Sequence, residues 1–394
     1  MTIIAEIGTA HSGSLDKAHA LIDAAADAGA DCVKFQWVYA DEILHPDTGF
    51  VTLPGGAVRL YDRFKTLEVD SSFFASCLDY AHKKGLLFAC SPFGLRSLRE
   101  LVAIGPDAIK IASPEVNHYP LLEACASYYG KIPIILSSGV SRLGDIENAV
   151  DMLQGERRET VSVSAPGSPA DSGVAEGREA LPPLTLLHCI TSYPAPETEY
   201  NVRCVETLRR VFCLPTGISD HSLDPVLIPV LTTALVGQMI EKHITLSRKT
   251  DGLDDPVALE PEQFAQMVQA VHQTQALIRK CEKDGCPQAA PIEIFCQMAE
   301  QYGEDTVSAA LGSGEKRLAS SERANYGRTN RSLHYMRAMK KGERVGDGDV
   351  SVLRTEKVLT PGISPEYARL VSGCILTRDV VAGAGVDWED LLSR

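Results

Sequence analysis

An alternation of apolar and amphipathic segments over the first 283 residues constrains the fold of this chain more than any other feature. Eight short apolar runs predict buried strands, and each is followed by a segment with helical periodicity. The predicted strands are 3–7, 32–36, 86–90, 108–111, 133–137, 184–188, 212–216 and 235–240. Strands that are apolar along their whole length are typical of a parallel sheet covered by helices. Eight such units favour a closed TIM (β/α)8 barrel over an open doubly wound sheet, and no Gly-x-Gly-x-x-Gly motif follows the first strand.

Changes in composition divide the chain further. Residues 155–183 are rich in Gly, Pro, Ser and Ala, which predicts a flexible insertion within a catalytic barrel domain at 1–283. The second βα loop, 41–66, is unusually long and lies on the face where barrels carry their sites. Residues 284–326 are interpreted as a linker, and 327–394 as a small β-rich domain with several glycine turns.

Charge and hydropathy limit the partners of the chain. The net charge of -14 argues against a nucleic-acid surface or an anionic membrane. No apolar run is long enough to span a bilayer, and the first predicted strand begins almost at Met1, which leaves no room for a signal peptide. We therefore expect a cytoplasmic protein. The 11 cysteines show no Cys-x-x-Cys spacing, so neither a zinc ribbon nor a disulfide scaffold is indicated.

Two histidines, His221 and His243, follow apolar runs in consecutive β-α units. The carboxyl ends of neighbouring parallel strands lie on one face of a barrel, so both side chains are expected to point into the same space. Imidazole is a common ligand of transition metals in proteins. On this pattern alone, a metal site and a pair of structural histidines are about equally supported.

Two lysines, Lys34 and Lys110, lie inside otherwise apolar predicted strands. A lysine in such surroundings is costly unless an anion lies beside it. Hydroxyl groups occur nearby at the predicted strand ends, on Ser91, Ser113, Ser137 and Ser219. Glu241 shares a strand face with His243, because residues two apart point the same way. These groups predict a cradle for a phosphate or carboxylate beside the two histidines.

In their order along the chain, these segments resemble the sialic acid synthase (N-acetylneuraminate synthase) family. The matching stretches are 5–8 with His11 and Gly13, 28–36, 91–93, 110–115, 135–139, 188–194, 219–221 and 241–243. Near the carboxyl end, 330–333 and 341–343 are similar to the SAF (antifreeze-like) domain that ends this family. Each stretch is short, but their shared order is specific and covers nearly the whole chain.

The resemblance implies a reaction and a cofactor. Members of the family condense phosphoenolpyruvate with an N-acetylated hexosamine and water, giving a nine-carbon 2-keto acid and phosphate. By motif, His221 and His243 would bind a divalent metal, Mn2+ or Mg2+. The phosphate and carboxylate of phosphoenolpyruvate would be held by Lys34, Ser91, Lys110, Ser113, Ser137 and Ser219.

The resemblance also implies catalytic carboxylates and a second subunit. Glu6, Glu115 and Glu241 would be catalytic, with Glu6 as the acid/base group; the alternative for Glu6 is an ion pair with Lys34 on the neighbouring strand. The hexosamine would face Gln36, Thr191, Tyr193 and Asp254. Arg331 would reach from the SAF domain of one subunit into the barrel of its partner and contact the N-acyl group, in a domain-swapped homodimer.

Three positions on the expected sugar side, Ala10, Thr191 and Leu253, depart from the family pattern. The acceptor therefore stays open between N-acetylmannosamine and a 2,4-diacetamido hexose. Two other functions are compatible with the same fold: a metal-dependent aldolase that uses pyruvate, and a non-catalytic paralogue that binds a sugar. Phosphate release on mixing with phosphoenolpyruvate distinguishes the synthase from both.

Overall fold

Eight parallel strands close into a barrel in this protein, and a small antiparallel domain follows them. The computed structural model describes residues 1–53, 56–155, 181–250, 252–356 and 358–391. The strands are β1 (Thr2–Gly8), β2 (Cys32–Trp37), β3 (Phe50–Leu53), β4 (Gly56–Arg59), β5 (Leu87–Pro92), β6 (Ala108–Ile111), β7 (Ile134–Ser137), β8 (Leu184–Cys189), β9 (Thr216–Asp220), β10 (Met239–His243), β11 (Arg331–Tyr335) and β12 (Val350–Arg354). The barrel order is β1-β10-β9-β8-β7-β6-β5-β2. The predicted (β/α)8 class is confirmed.

Helices follow the barrel strands and cover the outside of the barrel. They are α1 (Leu15–Asp27), α2 (Ala40–Ile43), α3 (Leu60–Lys65), α4 (Ser71–Lys83), α5 (Leu95–Ile104), α6 (Tyr119–Ala126), α7 (Leu143–Gln154), α8 (Cys204–Phe212), α9 (Leu227–Ala234), α10 (Pro261–Lys283), α11 (Ala289–Tyr302), α12 (Glu304–Leu311), α13 (Ala368–Val371) and α14 (Trp388–Leu391). Side-chain caps fix where some of them begin: Ser14 accepts from the Lys17 amide at α1, and Asp70 accepts from the Phe73 amide at α4. None of the described helices has the length and hydropathy that crossing a bilayer requires.

The strands that lead to the two histidines start later than the sequence predicts. The expected strand 212–216 is instead the end of α8 and the turn after it, and β9 begins at Thr216. The second expected strand, 235–240, is replaced by β10, which ends at His243. Apolar content is misleading here because the polar residues of β9 and β10 are themselves buried and paired inside the protein.

Apolar side chains fill the amino-terminal half of the barrel interior. One buried cluster takes a side chain from each of seven strands: Ile4, Cys32, Ala89, Ala108, Ile135, Leu187 and Met239. The eighth strand contributes Gly217, where a Cβ would overlap the Met239 backbone, so only glycine fits. This plug leaves only the carboxyl end of the barrel open for a site.

The segments expected to be irregular contain structure of their own. The long loop 41–66 carries most of α2, the β3–β4 hairpin and α3, and the expected linker 284–326 carries α11 and α12 packed near α9 and α10. The terminal domain has its own core around Leu333, Tyr335 and Val386 and pairs β11 with β12. The predicted flexible insertion at 155–183 lies almost wholly outside the described residues, and the predicted domain boundaries stay predictions.

Candidate active site

The barrel interior becomes polar two residues further along each strand than the apolar plug. Because side chains alternate across a strand, stepping two residues keeps the same inward face. The residues reached by this step are Glu6, Lys34, Ser91, Lys110, Ser137, Cys189, Ser219 and Glu241. All eight are buried. One ring of side chains therefore forms a charged floor directly above the apolar plug.

Glu241 lies between the two lysines of this floor. Its Oε1 is 3.7 Å from Nζ of Lys34 and 3.7 Å from Nζ of Lys110, and it accepts a hydrogen bond from Ser219 at 2.9 Å. Its other oxygen, Oε2, has no hydrogen-bond partner in the described part of the chain. Lys34 also pairs with Glu6 at 2.8 Å, so the ion pair considered from the sequence is present. Two cations and two carboxylates thus balance in a buried space.

Each lysine also donates to a serine at the end of a neighbouring strand. Lys110 donates to Ser137 Oγ at 2.7 Å, and Lys34 lies 3.4 Å from Ser91 Oγ. Burial lowers the pKa of Lys110 below its ordinary value, and Glu241 offsets only part of that effect. Burial acts on Lys34 in the same way, but Glu241 and Glu6 together outweigh it and raise the pKa of Lys34.

The charge of Glu241 follows from the same neighbours. Burial alone would raise the pKa of this carboxyl, but Lys110 and Lys34 outweigh burial and lower its pKa to about 2. A carboxylate held between two ammonium groups occupies the position that an incoming anion would need. The floor therefore has the charge and the hydroxyl donors for a phosphate or carboxylate, on condition that Glu241 gives way.

The ring of residues two positions above the floor contains both predicted metal ligands. His221 and His243 face each other, with ring centroids 5.7 Å apart, and both are buried. Nδ1 of His221 donates to the Ile190 carbonyl at 2.8 Å, which leaves Nε2 directed toward the cavity, 3.4 Å from Ser219 Oγ. Tyr193 stacks on His221 at 4.2 Å.

The two imidazoles differ in protonation. Burial disfavours the charged form of His221, but Cys189 and the Ile190 carbonyl outweigh burial and raise its pKa to about 9. Burial lowers the pKa of His243, with Asp254 and Glu6 opposing. These two histidines could hold a metal ion, and Nε2 of His221 would first release a proton. No group of three or more His, Cys, Asp and Glu side chains arranged for a metal occurs among the described residues.

The predicted sugar-side residues meet around Gly8. Gln36 donates to Glu6 Oε1 at 2.8 Å, and a Cβ placed on Gly8 would lie 3.2 Å from both of these side chains and 3.6 Å from Asp254. Gly8 has a φ of +55°, a backbone conformation that favours glycine. Tyr193 is 49% exposed at the mouth of the barrel, above the histidines. Glu6, Gln36, Asp254 and Tyr193 therefore line one open side.

The opposite side is a turn of small polar residues after β7. Gly139 donates its amide to Ser113 Oγ at 2.9 Å, and a Cβ on Gly139 would overlap Thr191 Oγ1. Thr191 Oγ1 is buried and has no hydrogen-bond partner within the described residues. Lys110 reaches this side through Ser137. Ser113 and Ser137 thus lie together, and Thr191, which the resemblance places on the sugar side, lies with them beside Gly139.

Glu115 and Arg331 lie apart from the charged floor and contact each other. Nε of Arg331 donates to Glu115 Oε2 at 2.6 Å, and Arg354 donates to Glu115 Oε1 at 2.8 Å. The remaining nitrogens of Arg331 donate to the carbonyls of Glu42, Ile43, Phe93 and Val352. Its side chain is 0% exposed. Within this chain Arg331 therefore joins the terminal domain to its own barrel, and contact with an N-acyl group stays a prediction.

Sequence reasoning missed two sets of residues near the site. Asp220 and Lys242, register partners on β9 and β10, form a buried ion pair of 2.7 Å on the strand face opposite the histidines. Each is one residue away from an inward-facing polar residue, Ser219 or Glu241, so the alternation of a strand could have revealed this pair on the opposite face. Glu322, from the segment expected to be a linker, accepts from the Val140 and Thr191 amides beside the polar turn. No local pattern distinguishes Glu322, because its contacts are far away in sequence.

Two family models match the chain. The NeuB family model matches residues 21–283, and the SAF domain model matches residues 330–392. Together they cover the barrel and the terminal domain described above.

Individual proteins match over nearly the whole chain. The spore coat polysaccharide biosynthesis protein SpsE of Bacillus subtilis is 30% identical over 100% of this chain and 94% of its own sequence. Its crystal structure aligns with a TM-score of 0.75 at 29% identity, covering 100% of this chain and 95% of that one. The N,N'-diacetyllegionaminic acid synthase of Legionella pneumophila is 28% identical over 99% of this chain and 94% of its own sequence.

A solved structure with a bound anion is also similar. The N-acetylneuraminic acid (sialic acid) synthetase of Leptospira borgpetersenii, crystallised in complex with citrate, aligns with a TM-score of 0.57 at 31% identity. The alignment covers 69% of this chain and 82% of that one.

Proposed function

Because this chain belongs to the NeuB family and ends in a SAF domain, we propose that it condenses phosphoenolpyruvate with an N-acetylated hexosamine and water. The products are a nine-carbon 2-keto acid, a nonulosonate, and inorganic phosphate. The observation that carries the proposal is the buried floor, in which Lys34 and Lys110 flank a single carboxylate that an anionic substrate would displace. The protein is therefore an enzyme, a transferase that forms a carbon–carbon bond.

Phosphoenolpyruvate fits the floor by charge and by donor type. Lys34, Lys110 and the hydroxyls of Ser91, Ser137 and Ser219 would bind its phosphate and carboxylate. Ser113 and the unused hydroxyl of Thr191 extend this donor set along the turn after β7. Because these groups are buried, the anion would bind in a medium where each charge-assisted hydrogen bond is stronger than in water.

His221 and His243 would hold a divalent metal ion. The donor set fits, because the Ile190 carbonyl fixes Nδ1 of His221 and leaves Nε2 to coordinate. Nitrogen ligands favour Mn2+ over Mg2+. Bound there, the ion supplies Lewis acidity, which polarises a carbonyl group.

The reaction needs proton transfer at the aldehyde oxygen of the open-chain sugar. The enol carbon of phosphoenolpyruvate forms a bond to the aldehyde carbon, and the aldehyde oxygen takes up a proton. Water adds to the phosphate-bearing carbon and loses one proton, which balances the proton taken up by the aldehyde oxygen. The carbon–oxygen bond to phosphate then breaks as the new hydroxyl passes its proton to the departing phosphate, which leaves the ketone. Glu6 would take the acid/base role, and its contacts with Lys34 and Gln36 beside the sugar side support this assignment.

The sugar side favours an acceptor with a second acyl group. Leu253, next to Asp254, packs against an apolar cluster that includes Val38, Ile43 and Phe93. An apolar wall suits the methyl group of an additional acetamide better than a hydroxyl. Among the acceptors compatible with the sequence, this supports a 2,4-diacetamido hexose over N-acetylmannosamine, in line with the named activity of the Legionella relative.

Phosphate release tests the proposed reaction. The purified protein, with Mn2+ and phosphoenolpyruvate, is offered a panel that contains N-acetylmannosamine and 2,4-diacetamido hexoses. We expect one phosphate released for each 2-keto acid formed, and faster turnover with the diacetamido sugars. Condensation with pyruvate and no phosphate release would identify an aldolase instead, and binding of sugar without any product would identify a non-catalytic paralogue.

We also propose that the enzyme is a homodimer with exchanged SAF domains. In such a dimer, the contact between Arg331 and Glu115 that joins the two domains of one chain would form between subunits. Mixing a Lys110→Ala variant with an Arg331→Ala variant tests this, after unfolding and refolding together. Restored activity supports the exchange, because one barrel then has both residues intact; no restoration places the contact within one chain.

A further inference from the structure

The segment 316–330, which connects the barrel to the terminal domain, binds the backbone at the mouth of the barrel. Lys316 donates to the Ser138 carbonyl at 2.8 Å. Asn325 donates to the Thr191 carbonyl at 3.0 Å, and Asn330 donates to the Val140 carbonyl at 3.2 Å. These contacts converge on the two loops that carry the small polar side of the site, although nothing in the reaction requires the connecting segment itself.

Glu322 is the central residue of this segment. It is 0% exposed, and its Oε2 accepts from the amides of Val140 at 3.0 Å and Thr191 at 2.9 Å. Its Oε1 accepts from the Ala319 amide at 3.1 Å. No lysine, arginine or histidine of the described ranges lies within ion-pair distance of it. A buried carboxylate is costly unless its hydrogen bonds are made, so this one is tied to the backbone amides it binds.

The backbone that Glu322 holds is strained. Val140 has a φ of +42°, which is rare for a β-branched residue. Both backbone polar groups of Val140 are bound from the connecting segment, the N–H by Glu322 and the carbonyl by Asn330. A conformation of this kind persists only where surrounding contacts impose it. The turn at 137–141 therefore depends on a residue that is 182 positions away from Val140.

This turn brings the anion donors of the site together. Its first residue, Ser137, is bound by Lys110, and its central Gly139 faces the hydroxyls of Ser113 and Thr191. Thr191, the other residue that Glu322 binds, carries the unused buried hydroxyl. If the turn relaxed, the distance between Ser137 and Thr191 would no longer be fixed.

We propose that Glu322 is a positioning residue that fixes the turn 137–141 and Thr191 for binding a phosphate group. The inference rests on the proposed function for the identity of the substrate, phosphoenolpyruvate, but not for the existence of the anion site. It also makes anion binding depend on how the connecting segment lies on the barrel.

Binding of inorganic phosphate to the full chain, measured by isothermal titration calorimetry, tests the proposal without any turnover. In a Glu322→Gln variant, one carboxylate oxygen becomes an NH2 group that faces a backbone N–H, so either the Val140 and Thr191 amides lose their shared acceptor or the Ala319 amide loses its own. In both orientations the negative charge that strengthens the bonds to the turn is lost. We expect phosphate to bind about tenfold more weakly, the usual effect of losing one charge-assisted hydrogen bond. Amide hydrogen exchange at 137–141 should become faster. Should this variant fail to fold, Glu322→Asp, which shortens the reach by one methylene, replaces it.

Glu199→Gln is the matched control. Glu199 Oε2 accepts from the Ser321 amide at 2.9 Å, so it binds the same connecting turn without touching the anion turn. We expect this variant to bind phosphate as the unchanged protein does. With active enzyme, Glu322→Gln should raise KM for phosphoenolpyruvate and leave KM for the hexosamine unchanged, a split that general loss of stability would not produce.

Three results would overturn the proposal: equal phosphate affinity in Glu322→Gln and the unchanged protein, an equal loss in Glu199→Gln, or no phosphate binding by the unchanged protein. Phosphate binding that depends on Glu322, together with no phosphate release from phosphoenolpyruvate, would support the positioning role and reject the proposed reaction. Failure of the positioning role and failure of the proposed reaction therefore give different results.

Discussion

The two buried lysines of the floor are compensated differently, and this difference assigns their roles. Lys34 has a close carboxylate, Glu6 at 2.8 Å, in addition to Glu241. Among the described residues, Glu241 at 3.7 Å is the only carboxylate paired with Lys110, which also donates to the Ser137 hydroxyl and the Ile111 carbonyl. Burial lowers the pKa of Lys110. In Lys34 the two carboxylates Glu241 and Glu6 outweigh the effect of burial and raise the pKa. Lys110 therefore gains most from a bound anion.

Replacing Lys110 with methionine should weaken phosphate binding strongly. Methionine keeps much of the side-chain volume but removes the charge and the hydrogen bond to Ser137. We expect a loss of about 10–100-fold in phosphate affinity by calorimetry, the range for a buried charge-assisted interaction. Lys131→Met serves as control, because Lys131 is exposed and precedes β7 at the opposite end of the barrel. Similar losses in both variants would contradict the assignment.

Replacing Glu241 with glutamine should have the opposite effect. The pKa of Glu241 is about 2 because Lys110 and Lys34 outweigh burial, so the group is a carboxylate at neutral pH and repels a bound phosphate. Glutamine keeps the shape and frees both ammonium groups. We expect phosphate to bind about tenfold more tightly, since like charges in a buried site cost of the order of 1 kcal/mol or more. Weaker binding would show that Glu241 does not compete with the anion.

At the scale of strands, the sequence predicts the barrel but misplaces the strands that matter most. Apolar runs identify six barrel strands within a few residues, because most residues of those strands are apolar. In β9 and β10 the inward face carries Ser219 and Glu241, and the outward face carries Asp220 and Lys242. Burial of paired polar residues on both faces leaves no apolar signal to read. In these two strands, the alternation of inward and outward side chains appears in the sequence only as a period of two among polar residues.

The Asp220–Lys242 pair should hold the two histidine strands in register. Lys242 Nζ is 2.7 Å from Asp220, and it also donates to the Ser222 carbonyl at 2.6 Å. Lys242→Met leaves a buried carboxylate unpaired, which should cost about 3–5 kcal/mol in the free energy of unfolding. The double variant with Asp220→Asn should be more stable than Lys242→Met alone, as measured by urea denaturation.

An exposed ion pair serves as the control for the buried one. Lys340 and Asp379 are also 2.7 Å apart, but their side chains are 78% and 57% exposed. Lys340→Met should therefore change the free energy of unfolding by no more than about 1 kcal/mol. If Lys242→Met cost no more than this, the buried pair would not stabilise the register of β9 and β10.

On the scale of the whole molecule, the sequence indicates the two domains but not what joins them. Glu115 and Arg331 were each singled out by motif, yet nothing local predicts that they bind each other across 216 residues. The contact forms because both are buried where the terminal domain lies on the barrel, next to Asn117, whose side chain pairs with the Arg331 backbone in both directions. Long-range contacts of this kind follow from the packed fold, and periodicity contains no information about them.

The Glu115 contact should make the attachment of the terminal domain sensitive to acid. Burial would raise the pKa of Glu115, but Arg331 and Arg354 outweigh burial and lower its pKa below the ordinary value of 4.5. A lowered pKa means that the contact stabilises fully above pH 4.5 and is lost as the pH falls through the folded-state pKa. At pH 7, Glu115→Gln leaves Arg331 buried without its carboxylate and should cost about 3–5 kcal/mol in the free energy of unfolding.

Urea denaturation at pH 7, 5 and 4 measures this, with Glu123→Gln as the matched control. Glu123 also crosses the two domains, by an ion pair of 2.8 Å with Arg369, but these side chains are 63% and 84% exposed. The control should therefore lose no more than about 1 kcal/mol at any of these pH values. The difference in free energy of unfolding between the unchanged protein and Glu115→Gln should remain constant from pH 7 to pH 5. It should become smaller only below pH 5, because protonation of Glu115 then removes the same charge that glutamine lacks. If this difference stayed constant until acid unfolded the protein completely, the charge of Glu115 would not join the domains. The carbonyls around Arg331 would then be sufficient to hold the terminal domain on the barrel.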